Sequence, residues 1–222
     1  MNIVFLNGSP KPSGGNSAIF SEFLKKAIAK IKPDVNFTLL NIRTNMLVEA
    51  DYELFETCDA LVIAYPLYMD AFPSHLSSQL IRLEEWFNSR KGEKSAAKNR
   101  LVVYGLCNCG FYEGERTSLS FDMLKIWCKK CGLIWGQGLG AGGGELMCAL
   151  PQIVMGHGPL RSVGKNISKL AFSIVNGLSG ENLYSKPDMP RFMFTASANS
   201  LIWEGKAKKN SLTKKQMLYR IP

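Results

Sequence analysis

Long apolar runs are missing from this chain of 222 residues. The longest weakly charged stretch, Leu133 to Leu150, is crowded with glycine and carries Glu145, so no membrane span and no membrane partner are expected. Histidine is scarce: His75 and His157 are the only two, which excludes a histidine-rich metal site. Six cysteines, at 58, 107, 109, 128, 131 and 148, are too few for a disulfide scaffold of this length. Met1-Asn2-Ile3 opens a strand with no basic leader or cleavage site, so reduced thiols and a cytoplasmic location are expected. No G-x-S-x-G elbow or other nucleophile signature is present. Cys128-Lys129-Lys130-Cys131 has metal or redox spacing, but it falls near a helix end, where a thiolate gains nothing from the dipole. Structural thiols and no metal are the expectation there.

The composition, with 46% hydrophobic and 20% charged residues, is that of a globular protein with a substantial core. The net charge of +9 is lopsided. Residues 186–222 hold 8 basic and 2 acidic side chains, leaving 19 and 16 for residues 1–185. A basic tail of this kind suits an anionic surface, but it carries no nucleic-acid motif. A solvated face or a subunit contact is expected, and no nucleic-acid partner.

What is present is organised around Ile3-Val4-Phe5-Leu6-Asn7-Gly8-Ser9-Pro10-Lys11-Pro12-Ser13-Gly14-Gly15-Asn16-Ser17. An apolar strand stops in a loop of Gly, Ser, Pro and Asn. A helix follows, with Phe20, Phe23, Leu24, Ala27, Ile28 and Ile31 on one face. Strand, glycine-rich loop and helix N-terminus together leave backbone N–H groups aimed at one spot, where the dipole favours an anion. Ser9, Ser13, Asn16 and Ser17 add donors, and Lys11 adds a charge. The loop lacks the Gly-Lys-Ser/Thr of a nucleoside triphosphatase and the G-x-G-x-x-G of a dinucleotide fold. Neutral hydroxyl and amide donors suit a terminal monophosphate, such as that of FMN. The same residues also suit an ordinary βα turn, and the loop alone does not choose between the two.

Further strands are expected at Phe37–Ile42, Ala60–Ala64 and Leu101–Leu106, with a fifth beginning at Leu133. Helices are expected at Asp51–Cys58, Ser74–Phe87, Glu115–Cys131 and over Ile167 to Leu178. Near-continuous apolar strands between amphipathic helices indicate a parallel sheet covered on both faces, a doubly wound α/β domain. Gly138-Leu139-Gly140-Ala141-Gly142-Gly143 matches G-x-G-x-x-G only formally, since Pro151 follows too soon for a crossover helix; a flexible loop is expected. One domain over residues 1–178 is expected, with a helical C-terminal extension over 179–222 that packs on the same domain or on a partner subunit.

In open α/β sheets, ligands sit beyond the carboxyl ends of the strands. Two more loops lie there: Tyr65-Pro66-Leu67-Tyr68-Met69-Asp70-Ala71-Phe72-Pro73 and Cys107-Asn108-Cys109-Gly110-Phe111-Tyr112-Glu113-Gly114. The first can offer backbone groups to the edge of a planar ring and Tyr68 or Met69 to its surface. The glycines of the second allow close approach.

Two motifs give the chain a resemblance to the NAD(P)H-dependent FMN reductases, flavodoxin-fold flavoenzymes that include quinone reductases and multimeric flavodoxin-like proteins. One is Gly8-Ser9-Pro10-Lys11 followed by Gly15-Asn16-Ser17; the other is Pro66-Leu67-Tyr68 with Pro73. The resemblance runs from Met1 to about Gly138. It implies a five-stranded sheet of order 2-1-3-4-5 and FMN held through its phosphate by Ser9, Lys11, Asn16 and Ser17. The isoalloxazine would lie against Pro66, Leu67, Tyr68 and Met69, with Asn108, Cys109 and Gly110 along its other edge. It further implies a homo-dimer or homo-tetramer, with NAD(P)H as co-substrate and hydride passed through FMN N5 to a flavin, quinone or similar small acceptor. No catalytic side chain is singled out, because the flavin carries the chemistry. Two other readings fit the same loops: a flavodoxin-type electron carrier, which the positive charge disfavours, and a flavin- or nucleotide-sensing regulatory protein.

Overall fold

A computed structural model describes residues 1–11, 15–42, 46–90, 101–150 and 153–219. The chain runs through β1 (Asn2–Asn7), α1 (Asn16–Ile31), β2 (Asn36–Asn41), α2 (Glu49–Thr57), β3 (Ala60–Pro66), α3 (Ser74–Ser89) and β4 (Val102–Asn108). It continues through α4 (Ser118–Cys131), β5 (Ile134–Ala141), α5 (Gly144–Cys148), α6 (Arg161–Val175), β6 (Leu183–Ser185), α7 (Arg191–Ser197), α8 (Glu204–Lys209) and α9 (Lys214–Met217).

All strands pair in parallel, in the order β2-β1-β3-β4-β5-β6. Alternate strand residues feed two cores. On one face Ile3, Phe5, Val62 and Leu106 pack under α1 and α6, through Leu24, Ile28, Ile167 and Leu170. On the other Val4, Leu6, Ile63 and Val103 meet α3 and α4 through Leu80, Leu83, Phe121 and Leu124. Helix α4 stops at Gly132, whose φ of 74° is the left-handed conformation that a glycine tolerates best.

Two expectations need correction. The sheet has six strands, not five: β6 adds Leu183–Ser185 to the outer edge of β5, so the C-terminal segment is not wholly helical. Three residues in a Pro-interrupted stretch are too short to display an alternation. The glycine run is also no flexible loop, since Gly138 and Gly140 lie within β5. Their bareness is a packing requirement. A Cβ on Gly138 would lie 2.8 Å from the Phe121 ring, and one on Gly140 would lie 2.1 Å from Thr117 Oγ1.

Candidate functional site

The first loop leaves β1 through Gly8, whose amide donates to the Ala64 carbonyl at 2.8 Å. Asn7 Oδ1 accepts the Ser9 amide at 3.1 Å, and Ser9 Oγ accepts the Lys11 amide at 3.3 Å. The chain thereby curls back over Gly15, the residue that caps α1. A Cβ on Gly15 would stand 2.8 Å from Ser9 Oγ, so any side chain there would have to displace the Ser9 hydroxyl. The Gly15 carbonyl accepts the amides of Ala18 and Ile19. Among the described residues the amides of Asn16 and Ser17 have no acceptor, and the first turn of α1 holds no acidic residue. This is an unneutralised helix N-terminus. Pro12, Ser13 and Gly14 lie outside the described residues. His75 supports the loop from α3, its Nε2 lying 3.0 Å from the Gly8 carbonyl.

The other two loops are tied to the first. Asn108 ends β4 and is buried; its Nδ2 donates to Ser17 Oγ at 2.8 Å and to the Tyr65 carbonyl at 3.2 Å. The Asn108 carbonyl accepts the Leu67 amide at 2.8 Å. The Tyr65 hydroxyl lies 2.9 Å from Ser120 Oγ, and burial holds its proton well above the ordinary tyrosine range. Beyond Leu67 the chain makes a two-residue reversal in which Tyr68 and Ala71 exchange both backbone hydrogen bonds at 3.0 Å. Met69 and Asp70 at its tip have φ of 51° and 61°.

Ten of the eleven residues singled out by the sequence line one cavity of about 280 Å³ at the carboxyl edge of the sheet. Ser9, Lys11, Asn16 and Ser17 form its anion-seeking end. Pro66, Leu67 and Tyr68 form one wall, and Asn108, Cys109 and Gly110 the facing one. Met69 is not part of the lining; it is 97% exposed at the tip of the reversal. Ser17 is buried; its hydroxyl accepts from Asn108 and still has its own proton to donate, alongside its amide. The Cys109 thiol points at the Phe111 and Glu113 carbonyls, and burial pushes it up to about 11, so it is a neutral wall rather than a nucleophile.

Two further residues line the cavity, Glu145 of α5 and Lys206 of α8, with Lys206 Nζ 2.7 Å from Glu145 Oε1. Nothing local in the sequence marks them, since 61 positions separate the pair and Lys206 reads as part of a solvated basic face. That face is in fact partly engaged: Arg191 pairs with Glu113, and Lys214 with Glu204. Cys128 and Cys131 lie on the buried face of α4 and do not line the cavity. Among the described residues no three His, Cys, Asp or Glu side chains gather as metal ligands. No described helix is long and apolar enough to cross a membrane.

No protein-family model and no curated protein sequence matches the chain. Solved structures do. The apo form of an NADH:FMN oxidoreductase (EMOB) matches 81% of this chain and 91% of its own, at 15% identity and a TM-score of 0.57. An FMN-dependent NADH-azoreductase from Bacillus anthracis str. Ames Ancestor, in complex with FMN, matches 79% of this chain and 100% of its own, at 16% identity and a TM-score of 0.55. An NADPH-quinone reductase from P. pentosaceus matches 77% of this chain and 98% of its own, at 15% identity and a TM-score of 0.54. At such identities the likeness is one of fold, which is flavodoxin-like. These neighbours bear the names of the group whose motifs the chain resembles.

Proposed function

We propose that the chain is an FMN-dependent NAD(P)H oxidoreductase that passes electrons to a small organic acceptor. The observation that carries this reading is the convergence of three loops, from the ends of β1, β3 and β4, on one cavity of about 280 Å³ with an anion-seeking end. The donor set fits FMN. The unpaired amides of Asn16 and Ser17, the Ser9 hydroxyl and the Lys11 ammonium suit a phosphate monoester. Glu145 would repel that phosphate were it not paired with Lys206. The amides of Leu67, Tyr68 and Cys109 are already bonded within the protein, so these two walls meet a planar ring chiefly through side chains, with Tyr68, 47% exposed, available for aromatic contact.

FMN supplies hydride acceptance and one- or two-electron release when bound. The chain's own part is to bind the phosphate at α1, orient the ring between two tied loops and keep the neutral Cys109 thiol beside it.

The experiment is an absorption spectrum of the purified protein after incubation with FMN, before and after each reduced nicotinamide is added without oxygen. Retained flavin bands that bleach on addition are expected. A colourless protein that refuses FMN and oxidises no NAD(P)H would overturn the reading.

A further inference from the structure

Helices α1 and α6 lie side by side on one face of the sheet, and a groove of about 690 Å³ runs between them. Residues 153–156 form its third side. They can lie close on α6 because Gly164 is bare: a Cβ there would stand 2.4 Å from the Gly156 nitrogen. The groove shares no described lining residue with the cavity at the carboxyl edge of the sheet.

The floor of the groove is apolar. Phe23, Ala27, Ile153 and Met155 pack against the core yet stay partly uncovered. At the rim Ile31 is 44% exposed and Val154 69%. Apolar surface gathered in a concavity gains by being covered.

The charge around this floor is of one sign. Lys26 and Lys30 stand one turn apart on α1, and Arg161 and Lys165 one turn apart on α6; all four are exposed. No described lining residue is acidic. Among the described residues none of the four cations has an ion-pair partner. Acids on the same two helices are committed elsewhere: Glu22 pairs with Lys25, and Asp188 accepts the Ser162 amide at the start of α6. Like charges one turn apart repel, a cost that a bound anion relieves.

The remaining chemistry limits the occupant. Ser168 is the one uncharged polar side chain of the described lining, and its hydroxyl donates to the Gly164 carbonyl at 3.1 Å. The edge of a nucleobase would find few partners there. A fatty carboxylate would engage one cation and leave the others opposed. An apolar chain ending in a polyphosphate answers both the floor and the rim. The volume falls within the roughly 300–1,000 Å³ of small-molecule sites.

We propose that the groove between α1 and α6 binds a soluble amphiphile, an apolar chain carrying two or more phosphate groups, of which a prenyl diphosphate is the simplest example. The proposal stands apart from the reductase reading, since the two sites are lined by different residues.

The test is calorimetric titration of the full chain, with and without FMN, using geranyl diphosphate, inorganic pyrophosphate, geraniol and ATP as separate probes. Saturable binding of geranyl diphosphate is expected, about tenfold or more tighter than that of pyrophosphate, and weaker in raised salt. The variant Lys26→Gln/Lys165→Gln changes two exposed side chains and is expected to weaken binding about fivefold or more while the thermal midpoint holds. Val154→Glu, which sets a carboxylate on the rim, is expected to weaken it as well. Equal binding of pyrophosphate or geraniol, tighter binding of ATP, or wild-type affinity in both variants would overturn the proposal and leave the reductase reading untouched.

Discussion

Asn108 and Ser17 stand 91 residues apart in the chain and 2.8 Å apart in space, Nδ2 to Oγ. Through this contact the last residue of β4 fixes the first turn of α1, and the second proton of the same amide holds the end of β3. One amide thereby ties the three loops of the cavity to one another. Replacing Asn108 by Ala would leave a buried hydroxyl and a buried carbonyl each short of a partner. A loss of about 1–3 kcal/mol in stability is expected, with FMN affinity falling too. Urea unfolding and a flavin fluorescence titration measure the two effects.

Lys206 and Glu145 call for a double-mutant cycle. Lys206→Met would leave a carboxylate facing the phosphate end and weaken FMN binding. Glu145→Gln would strengthen it, and the double variant would return near wild type. Both groups are half exposed, so each effect is expected at roughly two- to fivefold. It should shrink in high salt. Equal losses in all three variants would mean that the pair acts only by holding α8 in place.

Strand β5 should reject side chains at its inward glycines. Gly140→Ala drives a methyl against Thr117 Oγ1 and the Gly114 carbonyl, the latter only 2.7 Å from the added atom. A loss of about 1–3 kcal/mol is expected, as for other overpacked sites. A midpoint equal to wild type in thermal unfolding would contradict this packing account.

Stability should decline in alkali. Burial raises the Cys109 thiol from 9.0 to about 11 and the Cys148 thiol to about 12. A group whose native pKa is raised contributes fully below its unfolded value, and that contribution is lost as the pH climbs toward the native value. The window therefore opens near pH 9 and runs to 11 for Cys109, with roughly 3 kcal/mol at stake at most. Urea midpoints measured across that range should fall, and less steeply in Cys109→Ala.

The reversal after β3 is conformationally uneconomical. Met69 and Asp70 both occupy the left-handed region that hairpin turns of this kind reserve for Asn-Gly. The pair Met69→Asn/Asp70→Gly is expected to raise stability by about 1 kcal/mol. Because Met69 is exposed and not part of the cavity lining, FMN affinity should stay as it was. A drop in affinity would mean that the methionine side chain covers the ring after all.

Much of this architecture was legible because β1, β3 and β4 are buried on both faces and read as unbroken apolar runs, while α1 and α3 repeat their apolar residues at helical spacing. The loop residues were legible for a different reason, since a turn that brings the Ser9 hydroxyl over Gly15 restricts which side chains fit. Three features were not. The glycines of β5 imitate a loop, because the bulk that fills their space belongs to Phe121 and Thr117, far away in sequence. Strand β6 is too brief to show a period. Glu145 and Lys206 acquire their meaning only from each other, across a fold that no local pattern spells out.

The position of β6 in the chain has a consequence for synthesis. Residues 183–185 lay the outermost strand, so a nascent polypeptide presents β5 as a bare border until the tail has emerged. Open borders of parallel sheets recruit other chains. A premature stop ahead of Leu183 is therefore expected to yield an adhesive product rather than a smaller working protein, and trimming the tail to simplify the molecule would cut into its framework.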